Sequence, residues 1–414
     1  MNGPESSPAC RSCGAPLSHT FVDLGETPLA NSYLDPKSDL AEEKKYPLHA
    51  RVCGSCFLVQ VDDVVPPEDI FSDYAYFSSY SQSWVAHAGR YAEQANQRLN
   101  LNGDDLIVEV ASNDGYLLKH FVAMGLKVLG IEPAANIAKE AEKAGVPTQV
   151  DFFGKEVGKR IRAAHGPATL MAANNVLAHV PDINDFVQGF SALLSPQGVA
   201  TFEFPHLVEM IREVQFDTIY HEHYSYLSLY SVERCFERHG LRVFDVERLD
   251  THGGSLRIWC CLDGADHPES AALVALREEE AVFGVQKLET YEGFSLRVQA
   301  VRDALVVFLE QARRDHKSVA GYGAAAKGNT LLNYAGITSG LISFVVDSNP
   351  HKQDHLLPGS HIPIRAPEEI AHKNPDYVII LPWNLKAEIA ADLREISGWG
   401  GQCVTAIPCI EVFR

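Results

Sequence analysis

The chain is short of positive charge: 35 lysines and arginines stand against 54 aspartates and glutamates, a formal net charge of -19 over 414 residues. A surface of that sign repels phosphate backbones and anionic headgroups, which speaks against nucleic acid or an anionic membrane as a partner. A nucleic-acid enzyme would carry a basic patch, and none is found. Long apolar runs are missing too, so no stretch approaches a membrane span. The start Met-Asn-Gly-Pro-Glu lacks the basic and apolar blocks of a leader, and the expected place is the cytoplasm. Low-complexity segments and short-period repeats are absent. The length predicts two or three domains with substantial cores, and a monomer is a sufficient oligomeric state.

Nine cysteines in a reducing compartment read as metal ligands or buried thiols before disulfides. Four of them form two knuckles, Cys10-x-x-Cys13 and Cys53-x-x-Cys56. Paired thiolates at that spacing suit tetrahedral, structural zinc. The 39 residues between the knuckles predict a hairpin insertion. A metal would hold together a piece of about 60 residues that could hardly build its own core.

The run from Leu106 to Leu118, Leu-Ile-Val-Glu-Val-Ala-Ser-Asn-Asp-Gly-Tyr-Leu-Leu, reads as a buried strand, a tight loop and a helix start. Ala111 and Asn113 occupy positions where a dinucleotide fingerprint would have glycine, so NAD is a poor fit. The loop suits better the class I methyltransferases, which bind S-adenosylmethionine (SAM). Glu109 lies in the strand, Gly115 permits close backbone approach, and Glu132, at the tip of the next strand, can hold two ribose hydroxyls. Strands are predicted at 106–110, 127–131, 147–150, 168–173, 198–203, 242–246 and 255–262, alternating with helices as in a doubly wound α/β domain. The helix 84–99 precedes them. Asn174 and His179 follow the fourth strand, at the carboxyl end where such sheets bind ligands.

The densest chemistry follows the fifth strand, in Phe216-Asp217-Thr218-Ile219-Tyr220-His221-Glu222-His223-Tyr224-Ser225-Tyr226. A solvated face needs fewer aromatics and a core wants fewer charges. Acid/base work, a His-x-His metal site and a structural network are the three readings. Upstream, Asp73 to Ser81 is rich in aromatics and hydroxyls, of which Tyr76 and Ser79 are candidates for substrate contact. In His252-Gly253-Gly254-Ser255-Leu256-Arg257, Arg257 could face an anion. A long amphipathic pattern over 288–316 predicts a joining helix. Beyond it, Ser318-Val-Ala-Gly-Tyr-Gly-Ala-Ala-Ala-Lys-Gly328 resembles a second nucleotide-binding loop, with Gly323 for the turn and Lys327 for phosphate. Asp347 ends the next predicted strand, 342–346. Lys352, Trp383 and Asn384 fall in loops at strand ends.

Together these motifs, in this order and over nearly the whole chain, resemble the nucleotide-sugar C-methyltransferases. The resemblance implies a zinc-binding module at 1–70, a class I SAM-methyltransferase Rossmann-like domain at 71–288, and a C-terminal Rossmann-like domain at 289–414 that binds the nucleotide sugar. It implies SAM and structural Zn2+ as cofactors and a dTDP-linked 4-keto-6-deoxysugar as substrate. Most such enzymes methylate C-3 and some C-5, and the motifs matched do not separate them. His223 matches the catalytic histidine, with Tyr220 and Glu222 beside it, His179 opposite, and a tyrosine at Tyr74 or Tyr76. In this scheme Glu222 fixes the tautomer of His223 or tunes its basicity. A nucleotide-sugar-binding protein with a vestigial SAM site is the non-catalytic alternative.

Overall fold

A computed structural model describes residues 8–62, 65 and 78–414. The hairpin predicted between the two cysteine knuckles is present: β1 (His19–Thr27) and β2 (Tyr46–Val52) pair antiparallel, and β3 (Val59–Val61) adds to β2. Along β2, Leu48, Ala50 and Val52 are buried while Pro47, His49 and Arg51 face outward, the period of two expected of a one-sided sheet.

The next strands are β4 (Leu106–Val110), β5 (Lys127–Ile131), β6 (Thr148–Gln149), β7 (Ala168–Asn174), β8 (Leu194–Pro205), β9 (Ser225–Tyr226), β10 (Leu241–Leu249) and β11 (Ser255–Leu262). All but β9 form one seven-stranded sheet in the order β10-β11-β8-β7-β4-β5-β6. The strands β4 to β8 run parallel, and β11 is antiparallel to both of its neighbours. Every residue of β4 is buried, which is why its sequence reads as one apolar run rather than an alternation. The order reverses at β4, so the crevice above the carboxyl ends of β4 and β7 is where a ligand belongs.

The predicted joining helix is broken at Gly293 into Glu289–Glu292 and Phe294–Arg314. A third sheet follows, built from β12 (Val319–Tyr322), β13 (Val345–Val346), β14 (Ile364–Arg365), β15 (Tyr377–Ile380), β16 (Gln402–Thr405) and β17 (Glu411–Phe413). Its order is β14-β13-β12-β15-β16-β17, parallel except for β17. The strand expected at 342–346 is only two residues long, and the one expected at 198–203 begins four residues earlier. No helix among the described residues is long and apolar enough to cross a membrane.

The three pieces share their cores. Cys10, Leu17, Cys53 and Cys56 lie in the same apolar cluster as Val108, Phe202 and Phe236. A second cluster joins Phe21 and Val22 of the hairpin to Phe216 and Ile219, to Phe294 and Val298, and to Leu331 and Val345. Phe21 stacks on Phe294 with centroids 4.3 Å apart. The first sheet is completed by a strand from elsewhere: β9 pairs with β3, Val59 opposite Tyr226 and Gln60 opposite Ser225. Arg11, inside the first knuckle, fastens this junction. Its guanidinium donates to the carbonyls of Pro181 (2.9 Å) and Val61 (2.7 Å) and lies over the Tyr224 ring.

Arg11→Ala removes both charge-assisted bonds and is expected to destabilise the protein by about 1–3 kcal/mol. Urea unfolding measures it, and a variant with an unchanged midpoint would show that Arg11 fastens nothing.

Candidate active site

The metal centre is closed. The four Sγ atoms lie within 4.8 Å of one another, with Cys10 to Cys56 at 3.6 Å and Cys13 to Cys53 at 3.5 Å. A tetrahedron with Zn–S bonds of about 2.3 Å has edges of ~3.8 Å, so the set fits zinc. The backbone N–H groups of Ser55 (3.4 Å) and Cys56 (3.5 Å) point at Cys53 Sγ, and Gln60 Nε2 points at Cys10 Sγ (3.2 Å). Such donors stabilise thiolate charge. Four protein ligands leave no open position, and the centre's role is to hold the fold.

Above β4 the loop runs through left-handed backbone at three places, Ala111 (φ 55°), Asn113 (φ 48°) and Gly115 (φ 79°). The turn of a glycine-rich fingerprint is therefore kept although two of the glycines are not. Gly115 has no substitute, because a Cβ there would come 2.9 Å from Val146 Cγ2. Glu132, beyond β5, accepts from the N–H groups of Asn113 (3.0 Å) and Ala134 (2.9 Å). Each carboxylate oxygen keeps a second lone pair for a hydroxyl. Burial pushes the Glu109 carboxyl well above its ordinary value, and the nearby Glu132 and Asp114 add to that. At the carboxyl ends of β4 and β7, buried Asp114 Oδ1, Asn174 Oδ1 and both amide atoms of Asn175 have no hydrogen-bond partner among the described residues. Orphaned polar atoms over the switch point, beside an oriented acidic residue, fit SAM.

The second half of the site is the loop between the helix 207–212 and β9. His223 Nδ1 lies 2.8 Å from the Thr218 carbonyl and Nε2 lies 2.8 Å from the Tyr220 hydroxyl. A carbonyl only accepts, so Nδ1 carries the hydrogen. Burial, then the proximity of His179 and Lys327, holds the imidazole well below its ordinary pKa, so the ring is neutral and Nε2 bears the lone pair. Tyr220 donates to it. Glu222 does not reach the ring. Its carboxyl accepts from Asn31 Nδ2 at 2.7 Å and is pushed up to about 7 by burial. The expected tautomer-fixing role thus belongs to the Thr218 carbonyl, which sequence could not single out. His179 stands against His223, ring centroids 4.6 Å apart, and is pushed down to about 4 by burial.

The C-terminal domain supplies the facing wall. Gly323 has φ 91°, and a Cβ there would meet Pro382 Cδ at 2.5 Å. Asp347 accepts from the Ala324 N–H (2.8 Å), the same carboxylate-to-loop bond that Glu132 makes in the first sheet. Lys352 donates to the Ala324 carbonyl (2.8 Å) and stands 3.5 Å from Asp347. Lys327 reaches across to the His252 carbonyl and to Asn384 Oδ1, both at 3.5 Å, and lies over the Trp383 ring. Burial pushes its pKa down, while the nearby Asp217 carboxyl opposes the shift. Trp383 Nε1 donates to Asp217 (2.8 Å), Thr330 Oγ1 to the Ile219 carbonyl (3.0 Å), and Tyr33 to the Ala324 carbonyl (2.6 Å). All three parts of the chain therefore hold the loop or its surroundings.

Two expectations change. Arg257 is 3% exposed, and its guanidinium pairs with Glu203 (2.8 Å) and Glu247 (3.3 Å), so its charge is spent inside the sheet rather than on a ligand anion. The Ser79 hydroxyl donates to Asp114, and its N–H does the same at 3.0 Å, so the residue anchors the SAM loop. Tyr74 and Tyr76 lie outside the described residues. Asn31, Asp217, Thr218 and Trp383 are additions; Asp217 and Thr218 lie inside the run 216–226 and Trp383 at a predicted strand end, whereas Asn31 carried no signal.

Because β9 begins two residues after His223 and hangs on β3, stripping zinc with a strong chelator is expected to lower the melting temperature by several degrees and turnover with it. Identical melting of stripped and zinc-loaded protein would contradict the coupling.

A domain model described as zinc binding matches residues 10–71, a methyltransferase domain model matches 84–246, and a C-methyltransferase C-terminal domain model matches 250–408. The C-methyltransferase NovU of Streptomyces niveus is 39% identical over 399 residues, covering 96% of this chain and 95% of NovU. Among solved structures, the magnesium protoporphyrin IX methyltransferase of Synechocystis PCC 6803 with bound SAM is 12% identical, covering 48% of this chain and 98% of its own at a TM-score of 0.36. The glycopeptide N-methyltransferase MtfA is 13% identical, with coverage of 42% and 96% and a TM-score of 0.34. With a relative this similar along almost its whole length, the chain belongs to the nucleotide-sugar C-methyltransferase family and is a SAM-dependent C-methyltransferase.

Proposed function

We propose that the protein methylates a ring carbon of a dTDP-linked 4-keto-6-deoxysugar, C-3 in preference to C-5, in the making of a branched deoxysugar. The observation that carries this reading is His223: a neutral imidazole whose Nδ1 is tied to a carbonyl and whose Nε2 lone pair accepts from the Tyr220 hydroxyl. When bound, SAM supplies an electrophilic methyl group. The residues have to make the carbon nucleophile that meets it.

A ketone at C-4 acidifies the hydrogen on C-3. His223 Nε2 takes that proton, the C–H electron pair moves into the ring, and the carbonyl oxygen becomes an enolate oxygen. The Tyr220 hydroxyl rotates, so it can donate to that oxygen instead of to Nε2, while His179, a neutral ring whose N–H is held by the Glu222 backbone, lines the same side. One such donor typically contributes roughly 10²- to 10³-fold. Lys327, a half-buried lysine held between the His252 carbonyl and Asn384, suits the diphosphate, with Gly323, Asp347 and Lys352 framing the nucleotide. On the other side Glu132 takes the SAM ribose, with Asn113, Asn174 and Gly115 lining the rest.

His223→Asn is expected to lose most turnover, on the order of 10²-fold or more, while binding SAM as the parent does. Glu222, pushed up to about 7, then titrates near neutrality, about a unit above Asp217, which is pushed up to about 6. The parent's rate should change across pH 6–8, and Glu222→Gln should flatten that part of the profile. A profile identical in both would remove Glu222 from the chemistry. Glu132→Gln is expected to weaken SAM at least about tenfold by calorimetry, and an unchanged Kd would place the ribose elsewhere.

The substrate is tested by incubating enzyme and SAM with a panel of dTDP-4-keto-6-deoxysugars and following products heavier by one methyl group. Mass spectrometry finds such a product and NMR places the methyl. A methyl on C-5 would correct the position, one on oxygen would overturn C-methylation of these sugars, and no product with any member would overturn the substrate.

A further inference from the structure

His252 opens the His-Gly-Gly run whose arginine proved structural, and its own conformation is unusual. Its backbone sits at φ 55°, ψ 18°, left-handed for a residue with a side chain, and Gly253 (φ 89°) and Gly254 (φ 114°) follow it. Such a residue persists only where its surroundings over-determine it. Here Gly254 N–H donates to the Thr251 carbonyl (3.0 Å), Gln215 Nε2 to the Gly253 carbonyl (2.7 Å), and Lys327 Nζ to the His252 carbonyl (3.5 Å). Trp383 packs so closely on Gly253 that a Cβ there would lie 2.3 Å from the indole.

All this fixes an imidazole in the cleft. Its ring lies 5.8 Å from that of Trp84, on the SAM-loop side, and it feels the charges of Lys327 and Glu203. The neighbouring histidines are engaged: His223 with Thr218 and Tyr220, His179 with the Glu222 backbone, and His87 with Glu203. The ring nitrogens of His252 make no hydrogen bond to any described residue.

We propose that His252 is a substrate-contacting residue: its ring gives and accepts hydrogen bonds with a sugar hydroxyl beside the reacting carbon, holding that carbon between His223 and the SAM side of the cleft. Burial and the charge of Lys327 push the ring down to about 4, so it is neutral, one nitrogen a donor and the other an acceptor. That pair matches a hydroxyl, whereas a phosphate would be served by the ammonium of Lys327. The inference rests on the nucleotide-sugar reading above.

The test is His252→Gly, with His252→Asn beside it, because both residues accept the left-handed backbone. With a dTDP-4-keto-6-deoxyhexose as probe, kcat/KM should fall about 10- to 100-fold, the cost of one such contact. Melting temperature and SAM affinity should stay at parent values or better, and free imidazole should restore part of the lost rate in the glycine variant. Parent-like kcat/KM in His252→Gly would overturn the inference alone. So would a loss that imidazole does not restore and that tracks a fall in melting temperature or SAM affinity. A parent enzyme that neither binds nor methylates any such nucleotide would overturn the functional reading, and this inference with it.

Discussion

Two ladder pairs, Val59 with Tyr226 and Gln60 with Ser225, carry more of this architecture than their length suggests. They begin three residues beyond Glu222 and immediately follow the His223–Tyr224 step, so the edge of the metal-bound sheet sets where the histidine stands. The zinc ligands sit in the same apolar core as the methyltransferase sheet, and Arg11 between two of them holds the backbone on both sides of the junction. The cysteine cluster leaves no open position for chemistry, yet the loop that carries His223 is pinned to the sheet that the metal stabilises.

The electrostatics follow from the same burial. A histidine in water is half protonated near neutrality, and a protonated base is useless. Closing the loop between three parts of the chain removes water from His223 and brings up Lys327 and a second histidine, all of which disfavour the imidazolium. The same desolvation raises Glu222, Asp217 and Glu109. One environment therefore keeps the His223 imidazole neutral and the carboxyls readily protonated, which suits the proposed enolate chemistry.

The sequence showed most of the architecture, because buried parallel strands such as β4 are apolar throughout and the knuckles have a fixed spacing. The cluster was legible as well: Tyr220 to His223 and Lys327 are crowded or isolated in ways that ordinary surfaces are not, and the structure brings Lys327 near His223. What failed depends on register. Arg257 is directly opposite Glu203 on β8 and Glu247 on β10, a pairing visible only once the strands are aligned. Thr218 acts through its carbonyl, which leaves no trace in residue type. Asn31 meets Glu222 across 191 positions of chain. That β9 would leave its own domain to finish another sheet could not be read from two residues, Ser-Tyr.

The most direct measurement of the central claim is solvent exchange at the sugar ring. Parent enzyme and His223→Asn would each be held in D2O with a dTDP-4-keto-6-deoxysugar and no SAM, and the ring hydrogens beside the ketone followed by NMR. Deprotonation by His223 predicts deuterium at the methylated position with the parent and little or none with the variant. Equal exchange in both would contradict it, as would methylation by the parent with no exchange at all.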